Sequence, residues 1–95
     1  MRIPDIFNEK KRTLSFEVFP PKTANNFESV LFAAKKIAEV SPRYMSVTYG
    51  AGGGTSDYTV KIARELLDKG VTSLAHLTCI TSDKGNIRNM LDNLK

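Results

Sequence analysis

The chain has 95 residues and a net charge of +4, and 41% of its residues are hydrophobic while 25% are charged. This composition excludes wholesale disorder, which requires low hydrophobicity together with high net charge. It also argues against a membrane protein, because the longest wholly apolar run, residues 30–34, is far shorter than the roughly 18 residues that cross a bilayer. The length allows one domain at most, or part of one.

The cysteine content indicates the cellular compartment of the protein, and the distribution of charge indicates whether it binds nucleic acids. The single cysteine, Cys79, cannot form an intramolecular disulfide, and residues 1–12 contain no apolar stretch of the signal-peptide kind. A cytoplasmic setting is therefore expected. The basic residues are scattered apart from residues 10–12 and 35–36, whereas proteins that bind nucleic acids concentrate them on one face. We expect a solvated surface and no nucleic-acid partner.

The first part of the chain predicts a strand followed by a helix. Residues 13–19 alternate between two faces, which is typical of a strand, and the two prolines that follow end it. Thr23, Asn25 and Asn26 offer N-caps for a helix that ends before Pro42. A short helix over residues 4–10 is predicted to precede this unit.

Two further units repeat the pattern. A strand over residues 44–49 leads through a glycine-rich loop into a helix closed by Gly70, and a strand over residues 71–79 leads into a helix after Asp83. The order β-α-β-α-β-α predicts parallel strands joined by right-handed crossovers. Three such units fit either a doubly wound sheet or a (β/α)8 barrel. The interior positions expected for the middle helix are Val60, Ala63, Leu66 and Leu67.

The two faces of each predicted strand differ in polarity. Glu17, Thr48 and His76 fall on the polar face of the first, second and third strand, near its carboxyl end. A strand inside a doubly wound sheet is covered by helices on both faces and is apolar on both. The asymmetry therefore favours a barrel, with helices outside and a functional lumen that opens at the carboxyl-terminal rim.

Glu17 is the first candidate for chemistry. Its sequence neighbours are Phe16, Val18, Phe19 and two prolines, so we expect an apolar setting. Desolvation favours the protonated form of a carboxyl group, which suits a general acid. The alternative is a solvated strand end at which Glu17 pairs with a lysine.

The remaining candidates are less specific. A lone histidine such as His76 is more often a core residue than a ligand. Its spacing from Cys79 does not by itself make a zinc site, so no metal site is predicted, and Cys79 is expected to be a small buried hydrophobe. The glycine run at residues 50–54 lacks both the P-loop ending and the third glycine of the dinucleotide fingerprint. It predicts either a plain turn or a loop whose backbone approaches a flat ligand.

Three segments of the chain carry recognisable motifs: residues 15–23 (SFEVFPPKT), residues 46–53 (SVTYGAGG) and residues 75–80 (AHLTCI). They resemble the opening, second and third strand motifs of the bacterial methylenetetrahydrofolate reductases. They occur in order and at suitable spacing. The resemblance implies an α/β protein in which residues 1–95 form the N-terminal three βα units of a flavin-binding (β/α)8 TIM barrel.

The same resemblance implies an activity and its residues. Members reduce 5,10-methylenetetrahydrofolate to 5-methyltetrahydrofolate with FAD as cofactor and NAD(P)H as co-substrate. Glu17 matches the general acid that protonates folate N5, which opens the ring to an iminium ion that accepts hydride from the reduced flavin. The matches to cofactor-binding positions are Thr48, Tyr49, Ala51 and His76. Val18 and Lys22 differ from the residues that many members carry, and the choice between NADH and NADPH stays open.

Length qualifies this interpretation. A complete barrel takes roughly 250 residues, so the chain is expected to be an N-terminal segment that neither retains FAD nor turns over folate alone. A second hypothesis is a non-catalytic homo-oligomer, because three parallel strands leave two unpaired edges that favour association. A small basic module that binds nucleic acids is the third.

Overall fold

The fold is described from a computed structural model for residues 2–9, 11–21, 23–49, 56–79 and 83–95. Three parallel strands lie in the order β1-β2-β3, which confirms the predicted alternation of parallel strands and helices. The elements are α1 (Ile3–Asn8), β1 (Ser15–Val18), a 3-10 turn (Ala24–Asn26), α2 (Phe27–Ala38), β2 (Tyr44–Val47), α3 (Ser56–Asp68), β3 (Thr72–Ala75) and α4 (Lys84–Leu94).

The strands are shorter than the alternating sequence pattern predicts. β1 covers residues 15–18 instead of 13–19, and β3 ends at Ala75 instead of Cys79. The ladder continues for one step beyond the strands, because the amide of Thr48 donates to Val18 O and that of His76 donates to Val47 O, both at 2.9 Å. The last residues paired in register between β2 and β3 are Val47 and Ala75.

The hydrophobic core lies on one face of the sheet. Val18, Met45 and Val47 point to this face, and each is at most 7% exposed. Helices α2 and α3 cover them with the buried residues Leu31, Ala34, Ala38, Ile62, Ala63 and Leu66. A salt bridge of 3.2 Å between Lys35 and Glu65 joins the two helices at their surface. Because the helices occupy this face, the polar strand positions lie on the opposite one.

Two of the four interior positions predicted for α3, Ala63 and Leu66, are buried as expected, and Val60 is only partly buried. Leu67 is 57% exposed, whereas Thr59, Ile62 and Leu66 are fully buried. The buried residues follow the spacing i, i+3 and i+7 that defines one side of a helix. Leu67 lies outside that stripe, so its assignment to the interior was wrong.

Local signals determine where the helices begin and end. Gly70 has φ +86° and follows α3 as predicted, and the Val71 amide donates to Leu66 O while that of Gly70 donates to Leu67 O. These two bonds form a Schellman motif. Asp83 caps α4 by accepting a 2.8 Å hydrogen bond from the Asn86 amide.

The predicted capping of α2 is wrong. Asn26 occupies the N-cap position, but its side chain makes no capping hydrogen bond. The 3-10 turn that precedes α2 holds Asn26 at φ −97° and ψ −3°, whereas a capping side chain works from an extended backbone.

The short helix predicted before β1 is present as α1 and lies at the amino-terminal ends of the strands. Ile6 is 1% exposed. Phe7 meets Tyr44, the first residue of β2, edge to face with ring centroids 5.9 Å apart. Glu9 forms an ion pair with Arg43. None of the helices in the described ranges is long and apolar enough to cross a membrane.

Candidate functional site

Three polar side chains meet at the carboxyl ends of the strands. The hydroxyl of Thr48 donates to Glu17 Oε1 at 3.1 Å. His76 Nε2 lies 3.8 Å from the same oxygen. That separation is too long for a hydrogen bond, and it permits an ion pair when the imidazole is protonated. The fold therefore brings together one carboxylate, one hydroxyl and one imidazole that are far apart in sequence.

Backbone hydrogen bonds set the positions of these side chains. Glu17 in β1 pairs in register with Ser46, and Thr48 lies two residues further along the same face. Thr48 and His76 are each anchored to the preceding strand through their amides. Alternate residues of a strand point to one face, so the three side chains project from the side of the sheet opposite the core.

The surroundings of Glu17 differ from those expected. Its side chain is 44% exposed, so the apolar, desolvated setting inferred from Phe16, Val18 and Phe19 is wrong. The reason is geometric, because the immediate neighbours of a strand residue point to the other face. Val18 lies in the core, while Glu17 contacts Thr48 and His76. The alternative interpretation, a solvated strand end, agrees with this exposure, while the described part of the chain shows no lysine paired with Glu17.

His76 is not a core residue. Its side chain is 39% exposed and lies beside Glu17 Oε1, the same oxygen that accepts the hydrogen bond of Thr48. Tyr49 directly follows Thr48 and is half-buried. Ala51 and the glycine run to which it belongs lie outside the described residues, so their predicted roles stay predictions.

Cys79 is exposed, so its assignment as a buried hydrophobe was wrong. The core extends along this strand only as far as Ala75, and Cys79 lies four positions beyond it. Within the described ranges, no group of three or more His, Cys, Asp or Glu side chains is placed to hold a metal ion.

Thr59 is a residue of the site that sequence reasoning missed. Its hydroxyl donates to the carbonyl oxygen of Thr48 at 2.9 Å, and its side chain is fully buried. The sequence feature that could have indicated it is the helical spacing of Thr59 from Ile62, Ala63 and Leu66, which form the buried side of α3. A threonine on the buried side of a helix needs a hydrogen-bond partner.

An aromatic pair joins the amino-terminal ends of α2 and α3. Phe27 and Tyr58 stack with ring centroids 5.1 Å apart and an angle of 28° between their planes. Lys61 Nζ lies 5.9 Å from the centroid of Phe27. In parallel βα units the helices begin where the strands end, so this pair lies toward the end of the sheet that carries the polar cluster.

Comparison with known proteins identifies the family. The family model for methylenetetrahydrofolate reductase matches residues 2–95. The chain belongs to the methylenetetrahydrofolate reductase family. The family resemblance inferred from three segments of the sequence is thereby confirmed.

Curated members of the reductase family match the chain at about one residue in three. The 5,10-methylenetetrahydrofolate reductase of Pectobacterium carotovorum is 33% identical over 78 residues, which cover 81% of this chain and 26% of that protein. Methylenetetrahydrofolate reductase (NADH) 1 of Arabidopsis thaliana is 30% identical, over 99% of this chain and 16% of that protein. The 5,10-methylenetetrahydrofolate reductase of Buchnera aphidicola is 32% identical, over 94% of this chain and 33% of that protein. The chain thus spans between about a sixth and a third of the length of these relatives.

Proposed function

We propose that this chain supplies the proton-donating part of an enzyme that reduces 5,10-methylenetetrahydrofolate to 5-methyltetrahydrofolate with NAD(P)H. The observation that carries the proposal is the contact of Glu17 with Thr48 and His76, since each of these residues comes from one of the three family motifs. The cluster lies at the carboxyl ends of parallel strands, where barrel enzymes bind their substrates.

Residues 1–95 are proposed to form the first three βα units of a (β/α)8 TIM barrel. Three features support this: the strands are parallel and in chain order, the helices α2 and α3 cover one face, and the opposite face carries the polar side chains. In a barrel the helix-covered face is the outside and the polar face lines the lumen. The small share of each relative that the chain covers agrees with a part of a larger barrel.

The residues at this rim suit FAD. Thr48, Tyr49 and His76 are all half-buried, so each presents a polar group while part of its surface remains accessible. A hydroxyl, a phenol and an imidazole can hydrogen-bond to the heteroatoms of a flat heterocycle. We propose that they hold the flavin, together with Ala51. FAD held by these residues would supply the hydride-transfer chemistry between NAD(P)H and the folate.

Glu17 is proposed to deliver the proton to N10 of the folate and not to N5. The methylene carbon stays bonded to N5 in 5-methyltetrahydrofolate, so ring opening breaks its bond to N10, and N10 takes the proton. Its carboxyl group is accessible enough to meet a substrate, and the hydroxyl of Thr48 holds Oε1 in one orientation. Such an arrangement positions a proton donor before the substrate arrives, which is the geometric requirement for general acid catalysis. His76 contributes a second polar group beside the same oxygen.

The test compares two matched substitutions in the complete protein that carries this chain. Glu17→Gln removes the acid and is expected to lower the formation of 5-methyltetrahydrofolate by a factor of about 100 or more. Glu28→Gln makes the same chemical change on the exposed side of α2 and is expected to leave the rate unchanged. Normal turnover by Glu17→Gln contradicts the acid role. A wild-type protein that shows neither bound flavin nor folate reduction contradicts the proposed function as a whole.

Self-association without catalysis is the second candidate, for the 95-residue chain alone. Within the described ranges the outer edges of β1 and β3 have no partner strand, which favours edge-to-edge pairing. We propose that the isolated chain forms homo-oligomers and does not retain FAD. Light scattering that finds a monomer contradicts the first statement, and a purified chain with stoichiometric flavin absorbance contradicts the second.

A further inference from the structure

Thr59 links helix α3 to the residue that follows β2. Among the described residues it is the one polar side chain that is fully buried, and its hydroxyl reaches out of α3 to the carbonyl oxygen of Thr48 at 2.9 Å. A buried carbonyl needs such a donor, and the residue that provides it determines how the peptide group is oriented.

Both peptide groups that flank Thr48 are held by hydrogen bonds. On the amino side, the Thr48 amide donates to Val18 O and the Val47 carbonyl accepts from the His76 amide. On the carboxyl side, the Thr48 carbonyl accepts from Thr59. Two fixed peptide planes define φ and ψ of the residue between them, and a β-branched side chain has few χ1 choices once its backbone is set.

We propose that Thr59 is a positioning residue for the reductase reaction. By fixing the peptide that follows Thr48, its hydroxyl aims the Thr48 hydroxyl at Glu17 Oε1 and sets the direction in which Tyr49 leaves the strand. Thr59 acts through Thr48, from the helix-covered side of the sheet, and does not itself reach the polar face. The inference rests on the proposed function, since it concerns how the proton donor of that reaction is held.

Two pairs of variants of the complete protein separate the hydroxyl from packing. Thr59→Val keeps the shape of the side chain and removes its hydroxyl. The control is Ile62→Val, which removes one methyl group from another fully buried residue of α3 and leaves the hydroxyl of Thr59 in place. Thr59→Ser and Thr59→Ala both lack the methyl group and differ only in the hydroxyl. This second pair decides the question if Thr59→Val does not fold.

Steady-state kinetics give the first readout. Thr59→Val is expected to lower kcat about tenfold with little change in KM for the folate, because a displaced catalytic contact costs rate more than binding. Thr59→Ser restores most of kcat relative to Thr59→Ala, and Ile62→Val keeps the wild-type value. Equal kcat in Thr59→Ser and Thr59→Ala, or equal losses in Thr59→Val and Ile62→Val, overturns the proposal.

Amide hydrogen exchange gives a second readout that does not depend on activity. Residues 44–49 are expected to exchange several times faster in Thr59→Val than in Ile62→Val, because loss of the hydroxyl releases the peptide after Thr48. Unchanged exchange overturns the positioning role even where the wild-type protein reduces folate. Faster exchange in a protein without reductase activity supports the structural link and refutes the proposed function instead.

Discussion

Thr48 Oγ1 donates a hydrogen bond to Glu17 Oε1 over 3.1 Å, and this bond joins the carboxyl ends of β1 and β2 on the polar face of the sheet. The same oxygen of Glu17 lies 3.8 Å from Nε2 of His76, which directly follows β3. The side chains proposed to carry the chemistry therefore come from the carboxyl-terminal ends of all three strands, and Thr59 of α3 acts on them only through Thr48.

Thr48→Val removes the hydroxyl that orients Glu17 and keeps the side-chain shape. We expect kcat for folate reduction to fall about tenfold, since the carboxyl group loses a fixed donor while remaining present. Thr48→Ser keeps the hydroxyl and is expected to lose much less. Steady-state assays of the two variants make the comparison, and equal losses would show that the methyl group matters and the hydrogen bond does not.

His76→Ala tests the proposed flavin contact. We expect weaker FAD retention, by a factor of about 5 to 10, because one hydrogen-bonding group is lost from the rim. Cys79→Ser alters an exposed residue three positions further on and is the control, with unchanged retention expected. Flavin fluorescence during dilution or dialysis measures both. Full retention by His76→Ala argues that this imidazole serves Glu17 alone.

Leu66 and Leu67 are adjacent leucines with opposite environments. Leu66 is fully buried and Leu67 is 57% exposed. Leu66→Ala is expected to lower the free energy of unfolding by about 2–5 kcal/mol, because it leaves a cavity beneath α3. Leu67→Ala should change it by about 0.5 kcal/mol or less. Urea unfolding monitored by circular dichroism measures both, and similar losses would place α3 in the register predicted from the sequence.

Gly70 and Gly85 are expected to respond to alanine with opposite signs. Gly70 has φ +86°, and a Cβ there would meet nothing within 4 Å, so Gly70→Ala costs about 1 kcal/mol through backbone strain alone. Gly85 lies in α4, where a Cβ would make an ordinary 3.5 Å contact with Asp83 Oδ1. Gly85→Ala should therefore stabilise the protein by about 0.5–1 kcal/mol. Thermal unfolding of the two variants tests the signs, and a stabilised Gly70→Ala contradicts the left-handed turn.

Much of the fold was predictable because the signals were local. Alternating side chains in residues 13–19, the prolines after them and Gly70 after α3 each act over a few residues, and the succession of strands and helices along the chain followed from them. The same parity placed Glu17, Thr48 and His76 on one face. Their contacts require the register of three strands, which the pattern in a single strand does not contain.

The misjudged features depended on neighbours distant in sequence. Glu17 seemed desolvated because its sequence neighbours are apolar, but Phe16 and Val18 point to the opposite side of the sheet and Phe19 is 65% exposed. Thr59 was overlooked because its importance comes from a carbonyl on another element. Leu67 looked like core because α3 has more apolar residues than one stripe can bury. In each case, the direction in which the side chain points determined its environment, and amino-acid composition does not give that direction.

The hydrogen bond between Thr48 and Glu17 also has a consequence for the kinetics of folding. Its two residues are 31 positions apart, so it can form only after β1, α2 and β2 have assembled in the correct register. Contacts of this separation impose a loop-closure cost that helices such as α3 do not meet. We therefore expect the site to be completed late in folding. A chain that has collapsed with its strands out of register would contain Glu17, Thr48 and His76 without bringing them together.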